Sequence, residues 1–136
     1  MPTLLNDIGE SADWVVGGFE RMHRKLDFRL ESLREIDAFF DEQSSDGKPK
    51  DGTVLAKGKG SLLFGIGAYV GETIVRNCPG SHWETDDRDP NGEMEIQVRL
   101  ANGAVVWPVK KVMKRLLNGR EDGLFEFASL LLGEVA

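Results

Sequence analysis

From Ser11 to Gln43 the apolar residues Val15, Phe19, Met22, Leu26, Leu30, Leu33, Ile36 and Phe40 recur at steps of three or four. That spacing draws one stripe along a helix and predicts a long amphipathic helix over residues 11–43, with Ser11 as its N-cap. Glu20, Arg21, Arg24, Lys25, Asp27, Glu31, Arg34 and Glu35 fill the opposite face. Glu20 and Arg24 add support at i,i+4. Gly17 and Gly18, each costing about 1 kcal/mol relative to Ala, mark the expected point of bending.

The stripe ends in a stretch rich in Gly, Ser, Lys and Asp, which predicts an exposed polar connection over residues 44–60, ordered at most around Val54–Ala56. The run from 61 to 78 is apolar on nearly every side, the mark of a central, buried helix. After Pro79 and Gly80 the period shortens to two. His82 to Thr85 reads as a strand and residues 86–92 as a turn. Glu93 to Leu100 reads as a second strand, with Met94, Ile96, Val98 and Leu100 on one face. Asn102 and Gly103 suit a tight turn into a third strand ending at Trp107, so residues 82–107 form an antiparallel meander. Pro108 opens a helix over 108–118 that Asn118-Gly119 stops, and Asp122 caps a last helix over 122–132. The class is α+β: a long N-terminal helix and a buried central helix packed with a three-stranded sheet, then two short helices.

At 136 residues the chain fits a single domain, 1–136, with a real core. Its 40% apolar and 29% charged residues are those of a soluble globular protein, and no apolar run is long enough to span a bilayer. The first residues lack a secretory pattern, and a lone Cys78 allows no internal disulfide. A reducing cytoplasm follows as the expected location. The net charge of −6 is uneven: six carboxylates, those of Glu84, Asp86, Asp87, Asp89, Glu93 and Glu95, stand between positions 84 and 95 against one Arg88. No coherent basic face offsets them, which argues against a nucleic-acid partner.

Gly65, Gly67 and Gly71 invite comparison with a phosphate cradle. Their spacing is G-x-G-x-x-x-G, one residue longer than the dinucleotide fingerprint, with no strand before it and no Gly-Lys-Ser/Thr phosphate loop. On a helix, Gly67 and Gly71 face the same way and admit a neighbouring backbone. Close packing is therefore expected there, and no cofactor.

The same helix aligns Tyr69, Glu72 and Arg76. They read either as a polar edge with an intrahelical ion pair or as the mouth of a pocket completed by Trp83, where a buried Glu72 acts as a base. Asp87, Asp89, Asn91 and Gly92 match the first half of a calcium loop, but the twelfth position is Val98 instead of a bidentate glutamate. Cys78 and His82 lack two further ligands for zinc and a third group to orient a nucleophile. No metal site and no catalytic set is assembled. Lys110, Lys111, Lys114 and Arg115 read as the solvated face of the helix after Pro108, and Trp14, Trp83 and Trp107 as core or sheet-packing residues.

From residue 62 to 132 the sequence resembles a bacterial family of small cytoplasmic domains of unknown function. The likeness rests on "GAYVGETIVRN", "PGSHW", "VVWPVKKVMKRLLNG" and "EDGLFEF". It covers about half the chain and implies a fold arrangement and a bacterial cytoplasmic origin, but no reaction. Some similar small acidic domains neutralise toxins encoded beside them. The expectation is accordingly a non-catalytic protein-interaction domain, of the immunity type by that analogy, meeting its partner through Glu84, Asp86, Asp87 and Asp89. The alternative is a small-molecule or peptide-binding domain, or a weak enzyme, at Tyr69, Glu72, Arg76 and Trp83. The wide N-terminal stripe also allows a homodimer; no membrane partner is expected.

Overall fold

In the computed structural model, which describes residues 3–135, helix α4 (Lys59–Asn77) is the element on which the others are assembled. Between Leu62 and Gly71 nearly every residue is buried, so neighbours cover the middle of the helix all round. Helix α1 (Leu4–Arg21) lies along one flank, where Gly65 faces Val15, and helix α5 (Pro108–Asn118) starts against another. A Cβ at Gly67 would stand 2.6 Å from the Val109 side chain, and one at Gly71 would stand 2.1 Å from the Trp83 ring. Gly65, Gly67 and Gly71 thus serve close packing, against α1, α5 and Trp83 in turn.

The sheet keeps the expected order, β3 (His82–Glu84), β4 (Gln97–Arg99) and β5 (Val105–Val106), all antiparallel, with Trp83 opposite Val98 and Val98 opposite Val106. Ile96, Val98 and Leu100 are buried as their alternation predicts. The middle strand is shorter than the pattern, because Met94 and Glu95 donate back to Asn91 and wind the segment into a turn. Met94 consequently leaves the inner face and is exposed.

The predicted helix over 11–43 is two helices. α1 begins at Leu4, capped by Thr3, whose Oγ1 accepts from Asn6 N at 3.2 Å; Ser11 lies inside the helix. The apolar stripe extends back to match, through Ala12 and Ile8. The helix runs through Gly17 and Gly18 without a break and ends after Arg21. There His23 takes a left-handed conformation (φ 62°), while Arg24 N donates to Phe19 O and His23 N to Glu20 O. This pair of bonds is a Schellman closure, with histidine where glycine is usual. After a short 3₁₀ turn, Leu30–Ser32, helix α2 (Leu33–Gln43) resumes and buries Leu33, Ile36, Phe39 and Phe40.

Residues 44–60 are not a bare connection. Strands β1 (Ser44–Ser45) and β2 (Lys48–Pro49) form a hairpin around Asp46 and Gly47, both at positive φ as a two-residue turn requires. Helix α3 (Val54–Lys57), capped by Thr53, then drives Leu55 fully into the core, and Leu55 N donates to Gln43 Oε1 at 3.0 Å.

After α5, stopped by Gly119 as predicted, a 3₁₀ turn (Gly119–Asp122) leads to α6 (Leu124–Val135). Asp122 does not cap this helix. Its first N–H groups, those of Leu124 and Phe125, donate instead to Asp37 of α2 at 2.9 and 3.0 Å. The described residues thus form six α-helices and two small antiparallel sheets, and none of these helices is long and apolar enough to cross a membrane.

Replacing Gly71 or Gly67 by Ala forces a methyl into Trp83 or Val109 and is expected to cost roughly 1–3 kcal/mol in chemical denaturation. Gly9→Ala, in α1 with nothing within 4 Å of the added carbon, is expected to stabilise by up to about 1 kcal/mol. Similar changes at the three positions would contradict the packing role of α4.

Candidate functional site

Of the four residues of the candidate pocket, the structure unites three. Glu72 Oε1 accepts from Arg76 Nε at 3.1 Å, one turn away on α4, and Glu72 Oε2 accepts from Trp83 Nε1 at 3.0 Å. Both carboxylate oxygens are engaged, and they hold the indole against Gly71. Beside them lies a hollow of about 170 Å³ bordered by Ile8, Ala12, Phe28 and Arg76. Tyr69 does not belong to it. Its ring is buried further along the same face of α4, where the hydroxyl accepts from Phe28 N at 2.8 Å and shares a 2.6 Å bond with Ser32 Oγ. Burial raises the Tyr69 pKa above its ordinary value. Tyr69 ties residues 28–32 to α4; the Phe28 ring bridges the two places, 4.8 Å from Tyr69 and 3.7 Å beneath the Arg76 guanidinium.

The acidic segment is a folded loop in which each candidate carboxylate has a local partner. Asp86 accepts from Arg88 N and Asp89 from Asn91 N. Asp87 Oδ1 accepts from Leu4 N at 2.8 Å, placing a negative charge at the α1 N-terminus, where the helix dipole favours it. Gly92 closes the loop from beneath; a Cβ there would stand 2.9 Å from Asp86 O. Glu84 lies apart on β3 and pairs with Arg99 at 2.9 Å, which holds its pKa below the ordinary value. Asp86 keeps an exposed carboxylate.

The helix after Pro108 is less solvated than its charges suggest. Lys110 pairs with Glu95, and Lys111 with Asp122. Arg115 is only 2% exposed. It donates to Asp37 Oδ1, Asp37 O and Asp41 Oδ1 at 2.8–2.9 Å, beside the Phe40 ring. This cluster joins α2, α5 and the start of α6, and sequence reasoning placed its arginine in solvent. A signal was present: Arg115 follows Val112 by three and precedes Leu116 by one, so it sits on the apolar stripe. At Asp41, burial pushes the carboxyl up, but the bonds from Arg115 and Arg120 outweigh it and hold the pKa below its ordinary 3.8. Lys111 and Asn118 do the same for Asp122.

Trp83 packs inside, but Trp14 is 49% exposed and Trp107 41% exposed, against the expectation that all three are core residues. Trp14 lies off the stripe of Ile8, Ala12, Val15 and Phe19, which is why it turns outward. With Phe64, Ser11 and Ser61 it lines a hollow of about 610 Å³ rimmed by Glu10 and Glu93. Neither of these carboxylates has a cationic partner among the described residues. Glu93 belongs to the acidic segment, so the aromatic surface and the carboxylate-rich loop are connected.

Cys78 is buried at the end of α4, and His82 lies outside, 3.4 Å from Glu84. Among the described residues no three His, Cys, Asp or Glu side chains converge as metal ligands. No family model matches this chain, and no curated protein or solved structure matches it either.

The folded-state pKa values of Asp41 and Asp122 lie below the unfolded ones, so their contribution to stability is complete above about pH 4 and is lost as pH falls through the depressed values. Denaturant titrations should show a shallower loss of stability below pH 4 in Asp41→Asn and Asp122→Asn, with no change of slope between pH 6 and 8. Arg115→Met is expected to cost roughly 2–3 kcal/mol at pH 7, because it removes the buried cation between Asp37 and Asp41 and leaves them only the N–H groups of α6 and Arg120. Wild-type acid sensitivity in all three variants would remove the cluster from the account.

Proposed function

We propose that this protein is a non-catalytic protein-interaction domain whose partner-facing surface is centred on Trp14 and Phe64 and bordered by Glu10, Glu93 and the loop carrying Asp86, Asp87 and Asp89. One observation carries the reading: a half-exposed tryptophan stands beside a hollow whose rim carboxylates have no cation of their own. Exposed aromatic anchors dominate binding energy at protein interfaces, and unpaired rim charges set encounter rate and partner choice. The expected partner therefore offers a basic surface with an apolar contact at its centre. The loop adds pre-organisation: its carboxylates are already fixed by Asx-type bonds and by the α1 N-terminus, so ordering them costs little on association.

The resemblance of residues 62–132 to a bacterial family of small domains of unknown function agrees with this reading by analogy, since some similar small acidic domains neutralise toxins. A toxin whose basic cleft meets the acidic border is the partner it suggests, in a bacterial cytoplasm. Glu84 stands outside the proposed surface, being committed to Arg99. The cluster of Glu72, Arg76 and Trp83 is better described as a clasp than as a pocket, since its donors and acceptors are mutually satisfied.

A photo-crosslinking residue at position 14, expressed in the native host, should capture one protein, which the same probe at Trp107 does not. With that protein in hand, Trp14→Ala is expected to weaken binding by about 2 kcal/mol, and Glu10→Gln with Glu93→Gln to slow association and flatten its salt dependence. Equal capture from both positions, or unchanged affinity in Trp14→Ala, would refute the proposal.

A further inference from the structure

A second concavity lies on another side of Trp14, between α1 and α3. It encloses about 410 Å³, and its lining combines Trp14, Val15, Phe19, Met22, Val54 and Leu62 with two cations, Arg21 and Lys57. No carboxylate takes part. Eight of the nine arginines have a carboxylate within 4 Å; among the described residues, Arg21 is the one that does not. Lys57 has no such partner either. The trough thus carries two cations and no anion at its edge, in a chain of net charge −6.

Gly17 and Gly18 do not bend α1. The Arg21 guanidinium folds back over them, and a Cβ at either glycine would meet its nitrogens at 3.8–3.9 Å, an ordinary contact. Gly18 also lines the trough, so a long side chain there would enter it.

We propose that this groove is a binding site for a small aliphatic carboxylate. Its chain lies on Trp14, Phe19, Met22, Val54 and Leu62, and its head group is held by Arg21 and Lys57. The volume falls in the range of small-molecule sites, roughly 300–1,000 Å³, which are mostly apolar with a few placed polar groups. A guanidinium with no internal partner supplies the charge-assisted bonds a carboxylate needs. Met22 can adapt to different chain lengths.

Decanoate is the probe, titrated below its micellar concentration and followed by tryptophan fluorescence and calorimetry on the intact protein. One saturable site is expected, with the fluorescence response lost in Trp14→Phe. Decyltrimethylammonium, which keeps the chain and inverts the charge, is expected to bind at least about tenfold more weakly. Arg21→Gln with Lys57→Gln should weaken decanoate by about tenfold or more while the melting temperature holds, since both side chains are exposed. Gly18→Leu should block the site.

No saturation, equal affinity for the two amphiphiles, or unchanged decanoate binding in the double glutamine variant would each overturn the assignment. If the double variant melts earlier yet binds decanoate normally, Arg21 serves only the C-terminus of α1 and the assignment also fails. None of these outcomes depends on Glu10, Glu93 or a captured partner, so this site and the partner-binding surface stand or fall separately.

Discussion

The architecture depends on how closely α4 lets its neighbours approach. A helix covered on every flank cannot present bulky side chains everywhere, because packed helices need 8–10 Å between axes and a sheet residue must also reach the same backbone. Gly65 admits α1, Gly67 admits the first turn of α5, and Gly71 admits the edge of Trp83. Once Trp83 lies on Gly71, its indole N–H needs an acceptor, and Glu72 is adjacent on the same helix. Arg76 then balances that carboxylate and rests on Phe28. A run of polar contacts follows from one apolar constraint.

Charge is distributed by a related logic. Several carboxylates are consumed by helix ends and neighbours: Asp87 at the start of α1, Asp37 at the start of α6, and Asp41 with the buried Arg115. The surface left to act is therefore smaller than composition suggests. The surface proposed to act lies around Trp14, with unpaired anions on one side and unpaired cations on another. Such polarity within a few residues suits selective recognition more than general adhesion.

How much of this is legible in the sequence depends on whether the signal is local. The central helix, the alternation across Ile96, Val98 and Leu100, Pro108 opening α5 and Gly119 closing it are all written in neighbouring residues, and they stand as read. The break between α1 and α2 is not. Histidine fills the left-handed position where glycine would have announced it, and Met22, Leu26 and Leu30 keep helical spacing across the turn. Residues 44–60 look like a linker because their order comes from Leu55 reaching a core that the local sequence does not reveal. At the candidate site, Glu72 with Arg76 is visible as an i,i+4 pair. The outward turn of Trp14 could have been found by noticing that it misses the apolar stripe, and Tyr69 could not have been placed without the turn that brings Ser32 to it.

The bond between Asp37 and the first N–H groups of α6 spans 87 and 88 residues. A helix of 12 residues is marginal by itself in water, and this one has no side chain nearby in the chain to cap it. Its formation is therefore conditional on assembly of the rest: Asp37 supplies the missing cap only once α2 is in place, and Leu124 and Ala128 then close the same core as Phe39 and Phe40.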